Sequence, residues 1–239
     1  NVVKMKIVRK SSGAIAIRLL ALSCCIVLNF NAHAQKPGPL APEELKRMSL
    51  EELMNLEVTS VSRRPEKLTE AASAIQVITG EDIRRSGATN LPEALRLVTN
   101  LQVAQLNSYA SIVSARGFNA TFSNKLLVMI DGRTVYSPHF AGVLWDAQHV
   151  LLEDIERIEV ISGPGGTLWG SNAVNGVINI ITKKAEKTQG IYATAAVGSF
   201  LKDFAAARYG GKINDDLHFR VYAQRFDRDH TYLPAGAEA

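Results

Sequence analysis

The glycine-rich run Gly163-Pro164-Gly165-Gly166, with Gly170-Ser171 just beyond it, is where residue types first point to chemistry. Clustered glycines expose backbone N–H groups that can cradle a phosphate. A phosphate loop also needs a lysine followed by a hydroxyl at fixed spacing, and these glycines lack that pair at the right spacing. Turn formation accounts for them instead. Ser171 lacks the Gly-x-Ser-x-Gly elbow that would expose a nucleophile. His139, His149, His218 and His230 are scattered without metal-ligand spacing, and they read as exposed polar groups. Asp131 is a turn residue in this reading, and Trp145 and Trp169 are packing anchors. No acid/base pair emerges. The chain is therefore expected not to be an enzyme, with no catalytic residues, no metal and no cofactor.

The elements around these residues begin with an export signal. Lys4, Lys6, Arg9, Lys10 and Arg18 make a basic start without an acid, and residues 19–30 are an apolar run of twelve. A membrane-spanning helix needs about 20 such residues. Small residues at Ala32 and Ala34 place a cleavage site between Ala34 and Gln35, so residues 1–34 read as a signal peptide. A lipid-anchor reading of Ala21-Leu22-Ser23-Cys24 fits less well, because the apolar run continues past the cysteine. Met5 is the first methionine, and residues 1–4 carry no functional argument.

Removing the leader leaves 22 Lys and Arg against 23 Asp and Glu, a net charge of −1. The basic balance of the whole chain thus belongs to the leader, and it gives no support to a nucleic-acid partner. Cys24 and Cys25 leave as well, so the mature part has no disulfide and no thiol chemistry.

Residues 35–56 begin with Pro37, Gly38, Pro39 and Pro42, a flexible entry, and then a capping box at Ser49 starts a short helix. Glu57, Val58, Thr59, Ser60, Val61 and Ser62 have strand propensity, and Arg63-Arg64-Pro65 ends the run. Beyond Ala71 the pattern is compact and mixed. A strand is predicted over 75–78, then a helical turn capped by Thr79 and stopped by Gly87. Asn90 starts a second helix, whose Leu91, Ala94, Leu95 and Val98 form one buried stripe. Asp131-Gly132 is the turn dipeptide of a two-residue hairpin between strands at 126–130 and 133–136. Two further strands are predicted at 155–161 and 177–181.

After Lys184 the texture changes to long alternating strands. Leu217, Phe219, Val221 and Ala223 alternate with His218, Arg220, Tyr222 and Gln224, and Ile191, Ala193, Ala195 and Val197 repeat the pattern. Such two-faced strands fit either a soluble antiparallel sheet or a membrane β-barrel.

Several motifs now stand in register: Arg116-Gly117-Phe118; Leu127-Val128-Met129-Ile130-Asp131-Gly132-Arg133; Ile155-Glu156-Arg157-Ile158-Glu159-Val160-Ile161-Ser162-Gly163-Pro164; and the run from Gly170 through Asn175-Gly176-Val177-Ile178-Asn179 to Thr182. Together they resemble the plug domain of TonB-dependent outer-membrane receptors over roughly residues 56–184. The resemblance implies an α+β plug domain at 63–184, a mixed small sheet with short helices, followed over 185–239 by the first antiparallel strands of a transmembrane β-barrel. About 55 residues after Lys184 hold at most four or five strands, so the chain is expected to be a truncated piece of a longer receptor.

For function, the resemblance implies energised uptake, across the outer membrane, of a scarce substrate such as a ferric siderophore or cobalamin. Its partners would be TonB with its inner-membrane energising complex, outer-membrane lipid, and the small-molecule substrate. Residues 57–62 resemble the Ton box loosely, since Ser60 stands where an apolar residue is usual; an extended segment with free backbone groups can add to a partner's sheet edge. The short stretch before it implies no periplasmic signalling domain. Arg116 matches one of two family arginines that lock the plug to carboxylates on the barrel wall, but Ser162 stands at the second. Either the wall compensates or Ser162 is simply tolerated. Plug loops near 107–110, 119–124 and 137–143 would face the substrate, with Tyr109, His139 and Phe140 as candidates. The alternative is a periplasmic binding or interaction module built from a plug without a working barrel.

Overall fold

The computed structural model describes residues 57–58, 66–67, 74–120, 122 and 124–231. The signal peptide, the cleavage site at Ala34 and Gln35, and Thr59 to Ser62 of the Ton box-like segment lie outside these residues. Strand β1 (Glu57–Val58) pairs antiparallel with β2 (Glu66–Lys67), and Val58 is fully buried. This part of the segment is extended as expected, but its backbone is paired within the chain rather than free.

The centre of the fold is a five-stranded mixed sheet. Strand β3 (Ala74–Thr79) leads into helix α1 (Gly80–Ser86), and α2 (Leu91–Leu95) follows. The hairpin β4 (Leu101–Gln105) and β5 (Ser111–Ala115) precedes β6 (Leu126–Ile130) and the short β7 (Arg133–Thr134). Strands β8 (Tyr136–Ser137) and β9 (Gly142–Val143) form a small ribbon. Then come β10 (Ile155–Ser162), the single turn α3 (Gly166–Trp169) and β11 (Gly176–Thr182). Sheet order is β3-β10-β11-β6-β7, antiparallel throughout except for the parallel β11–β6 pair.

Local chemistry explains the helix ends. Thr79 and Asp82 cap each other across the first turn of α1, and Gly87 adopts the left-handed conformation that stops it. Asn90 caps α2 through the Glu93 amide. Helix α2 ends at Leu95, shorter than its apolar stripe predicts, yet Leu91, Ala94, Leu95 and Val98 are all buried. Below that helix, alternate residues of the sheet (Ile78, Val128, Ile158, Val160, Ile178 and Ile180) make the main core with Trp145. The opposite face packs Leu127, Met129, Ile161, Ala173 and Val177, with Trp169 at its margin.

Strands β12 (Gly190–Val197), β13 (Leu201–Lys212) and β14 (His218–Arg228) form a separate antiparallel sheet. Its outer face is apolar and exposed: Ile191 is 82% accessible and Val197 87%, with Ala193, Ala195, Ala205, Ala207 and Val221 between them. Tyr209 and Phe219 meet at 5.9 Å on that face near the Lys184 end, and Arg225 and Asp203 carry charge near the other. The inner face turns Tyr192, Arg208, Arg220, Phe226 and Arg228 toward the mixed domain. A soluble sheet would hide the apolar face. Here the polar face is the covered one, as in a barrel wall.

Candidate functional site

The loops at the end remote from Lys184 carry the sequence-predicted substrate residues. In loop 106–110, the Asn107 carboxamide oxygen accepts from the amides of Tyr109 at 3.0 Å and Ala110 at 2.8 Å. That turn leaves the Tyr109 ring 50% exposed. His139 and Phe140 lie in the β8–β9 loop, where the imidazole meets the Phe140 ring edge-on at 4.6 Å. Phe122, from the preceding loop, stacks on Phe140 at 5.4 Å. The structure thus joins His139 and Phe140 with Phe122, which the sequence reading placed in a candidate loop without naming. Tyr109 makes no ring contact among the described residues; it stands instead beside the wall.

Three levels of contact bind the mixed domain to the wall. At the outer end Ser108 Oγ donates to the Asp229 carbonyl at 2.6 Å, and the Arg228 guanidinium reaches the Ser108 carbonyl at 3.4 Å. The Asp229 carboxyl is held below the usual range by the Lys202 ammonium and then by the His230 amide. At mid-height Tyr222 donates to the His149 carbonyl at 2.9 Å, and the His149 and Phe226 rings lie 5.3 Å apart. At the Lys184 end Asp154, 1% exposed, pairs with Arg208 of β13 and Arg220 of β14. Between the outer and middle levels lies a cavity of about 290 Å³, bounded by α1, α2, the 145–153 segment and the inner wall, with Tyr109 and Arg228 among its lining.

Arg116 has positive φ (57°) and an exposed side chain, and it makes no ion pair among the described residues. Its guanidinium lies over Gly163, 3.7 Å from where a Cβ would be. Ser162, at the position of the second family arginine, accepts a 3.3 Å hydrogen bond from Asn100. Asp131 does more than turn the chain: its carboxylate accepts from the Thr182 amide at 2.8 Å and hydroxyl at 2.9 Å, tying the turn to the end of β11. No group of three or more His, Cys, Asp or Glu side chains is placed for a metal among the described residues.

A small mixed-sheet domain seated on the polar face of two-faced antiparallel strands defines a plug held against a barrel wall. The family model of the TonB-dependent Receptor Plug Domain matches residues 67–177, the mixed-sheet domain of this chain. It is 35% identical over 144 residues to the vitamin B12 transporter BtuB of Vibrio vulnificus strain CMCP6, an alignment covering 59% of this chain and 23% of that protein. The open form of the ferric-catecholate import receptor Fiu of E. coli K12 superposes with a TM-score of 0.51 at 27% identity, over 70% of this chain and 23% of that one. The pyoverdine outer membrane receptor FpvA of Pseudomonas aeruginosa PAO1 shares the fold, with a TM-score of 0.59 at 20% identity over 74% of this chain and 25% of that one. The chain thus spans about a quarter of the length of these relatives.

Proposed function

We propose that this plug serves an outer-membrane receptor that takes up a scarce, bulky substrate, a ferric siderophore or cobalamin, with energy delivered by TonB. The observation that carries the reading is the plug domain seated on wall strands whose outer face is apolar. The relatives' names supply the substrate classes: a vitamin B12 transporter and a ferric-catecholate import receptor. In this reading residues 57–62 receive TonB by strand addition, which requires β1 to leave β2 first. Phe122, His139 and Phe140 contact the substrate, because an exposed cluster of flat rings suits a large, partly apolar ligand. Tyr109, at the mouth of the wall cavity, is the second contact. Arg116 locks the plug to wall strands beyond β14, and the Ser162–Asn100 bond replaces the second arginine without a charge.

The test deletes the complete gene in its host and limits iron or cobalamin in turn. Loss of growth under one limitation, restored by the wild-type gene but not by Val58→Pro, supports energised uptake. Unchanged growth under both limitations, with no substrate bound by the purified protein, favours the periplasmic module instead.

A further inference from the structure

We infer that Asp154, Arg208 and Arg220 form a clamp that fastens the plug to the first strands of the wall, with the acid on the plug and the cations on the wall. Its polarity is opposite to that of the arginine lock expected from the family resemblance. The inference rests on the plug-and-barrel reading and adds a positioning site to it.

Asp154 ends the 3₁₀ turn Leu152–Asp154, immediately before the interior strand β10. Its Oδ1 takes a short ion pair from Arg208, and its Oδ2 lies 3.4 Å from Arg220 Nε. The two guanidiniums are 11% and 16% exposed, so solvent screens the cluster little. Arg208 also lies over the Tyr192 ring, 5.1 Å from its centre. Arg220 has two further plug acceptors: the Lys183 carbonyl at 2.8 Å and the Thr182 hydroxyl at 3.1 Å, the hydroxyl that donates to Asp131. The Asp154 backbone carbonyl in turn accepts from the Lys183 amide at 2.7 Å. Asp154 thus joins two wall strands through its carboxylate and the end of β11 through its backbone carbonyl.

The arrangement is not symmetric in its consequences. Arg208 and Arg220 stand on adjacent strands, both inward and two pairs apart in register, since Arg208 faces Tyr222 and Gly210 faces Arg220. Neutralising Asp154 leaves two buried like charges side by side on the wall without their shared carboxylate, and Arg208 Nε already has no acceptor among the described residues. The plug would then lose its ionic hold on the wall at that point, and the two stranded cations would favour a seam opened to water.

The test uses the intact receptor in the outer membrane of cells lacking TonB, so that energised uptake plays no part. The readout is entry of a large hydrophilic antibiotic of the glycopeptide class, with receptor abundance measured in the same membranes. Asp154→Asn is expected to raise entry by about tenfold, the effect of shifting a docked–undocked equilibrium. Asp154→Glu, which keeps the charge, should restore most of the barrier. The triple variant Asp154→Asn, Arg208→Gln, Arg220→Gln removes both signs and should leak less than Asp154→Asn alone. If Asp154→Asn fails to reach the membrane, recovery of abundance in the triple variant supports the clamp, and equal loss in both overturns it. Entry at the wild-type level in Asp154→Asn at normal abundance overturns it too. A wild-type receptor without energised uptake in TonB-containing cells would instead count against the proposed function, leaving the leak comparison intact.

Discussion

Phe140 carries the contacts of its site because two loops converge on it: Phe122 stacks on one side and His139 meets its edge. The ring is 41% exposed, so truncating it leaves the core untouched. Phe140→Ala is expected to weaken substrate binding by about tenfold, the usual effect of losing one aromatic anchor, while thermal unfolding stays unchanged. Equilibrium binding on the purified receptor checks this, and an unaltered affinity would remove the cluster from the substrate site. The candidate loops and two of these rings were legible in the sequence, because exposed aromatics among polar loop residues stand out. Phe122 acquires its role only by meeting Phe140, a pairing no spacing rule encodes.

Helix α1 shows the element scale. Its ends obey local rules, with a reciprocal cap at Thr79 and a left-handed Gly87. Thr79→Ala should cost about 1 kcal/mol, the worth of an N-cap, seen as a lower midpoint in denaturant unfolding. Glu81 accepts from Arg84 at 2.6 and 2.8 Å and from Arg85 at 2.8 Å. These guanidiniums, Arg84 first, hold its carboxyl at about 2. A depressed carboxylate stabilises the fold above its unfolded value of 4.5, and that contribution is lost as pH falls toward 2. Carboxyl chemical shifts followed through acid titration should give a midpoint near 2 for Glu81; a midpoint at the ordinary value would mean that the pairs do not form in solution. Helix α2 is the opposite lesson. Its apolar stripe was legible through Val98, but the α-helix proper stops at Leu95, and tighter i→i−3 turns carry the chain through Val98 to β4.

At the scale of the whole molecule, the wall strands are two-faced, and the plug decides which face turns inward. The linker between plug and wall packs so closely on β13 that a side chain at Gly210 would overlap the Thr188 carbonyl. Only glycine permits that approach. With the inner face taken by the plug, the outer face is the one that would meet lipid in the proposed barrel. Ala195→Arg, midway along β12 and outward, is therefore expected to cost about 2–4 kcal/mol on folding into vesicles. Thr194→Arg, on the inner face, should cost far less on that ground. Urea-dependent refolding of the intact receptor into lipid vesicles measures both, and equal small costs would favour an ordinary solvated sheet.

What the sequence determined by itself follows from short-range physics: helix caps, the Asp131-Gly132 turn, the periods of the strands, and a set of motifs whose order carries the likeness to the plug-domain family. Each depends on residues a few positions apart. The tertiary structure alone decided that Val58 is buried and paired, that Asp131 holds Thr182, and that Asp154 meets Arg208 and Arg220. Those partners are separated by about 50 residues or more, except in the β1–β2 pair, and charge complementarity across such a separation has no period to read. An aspartate before a strand and arginines on later strands look like solvated residues until folding buries them together.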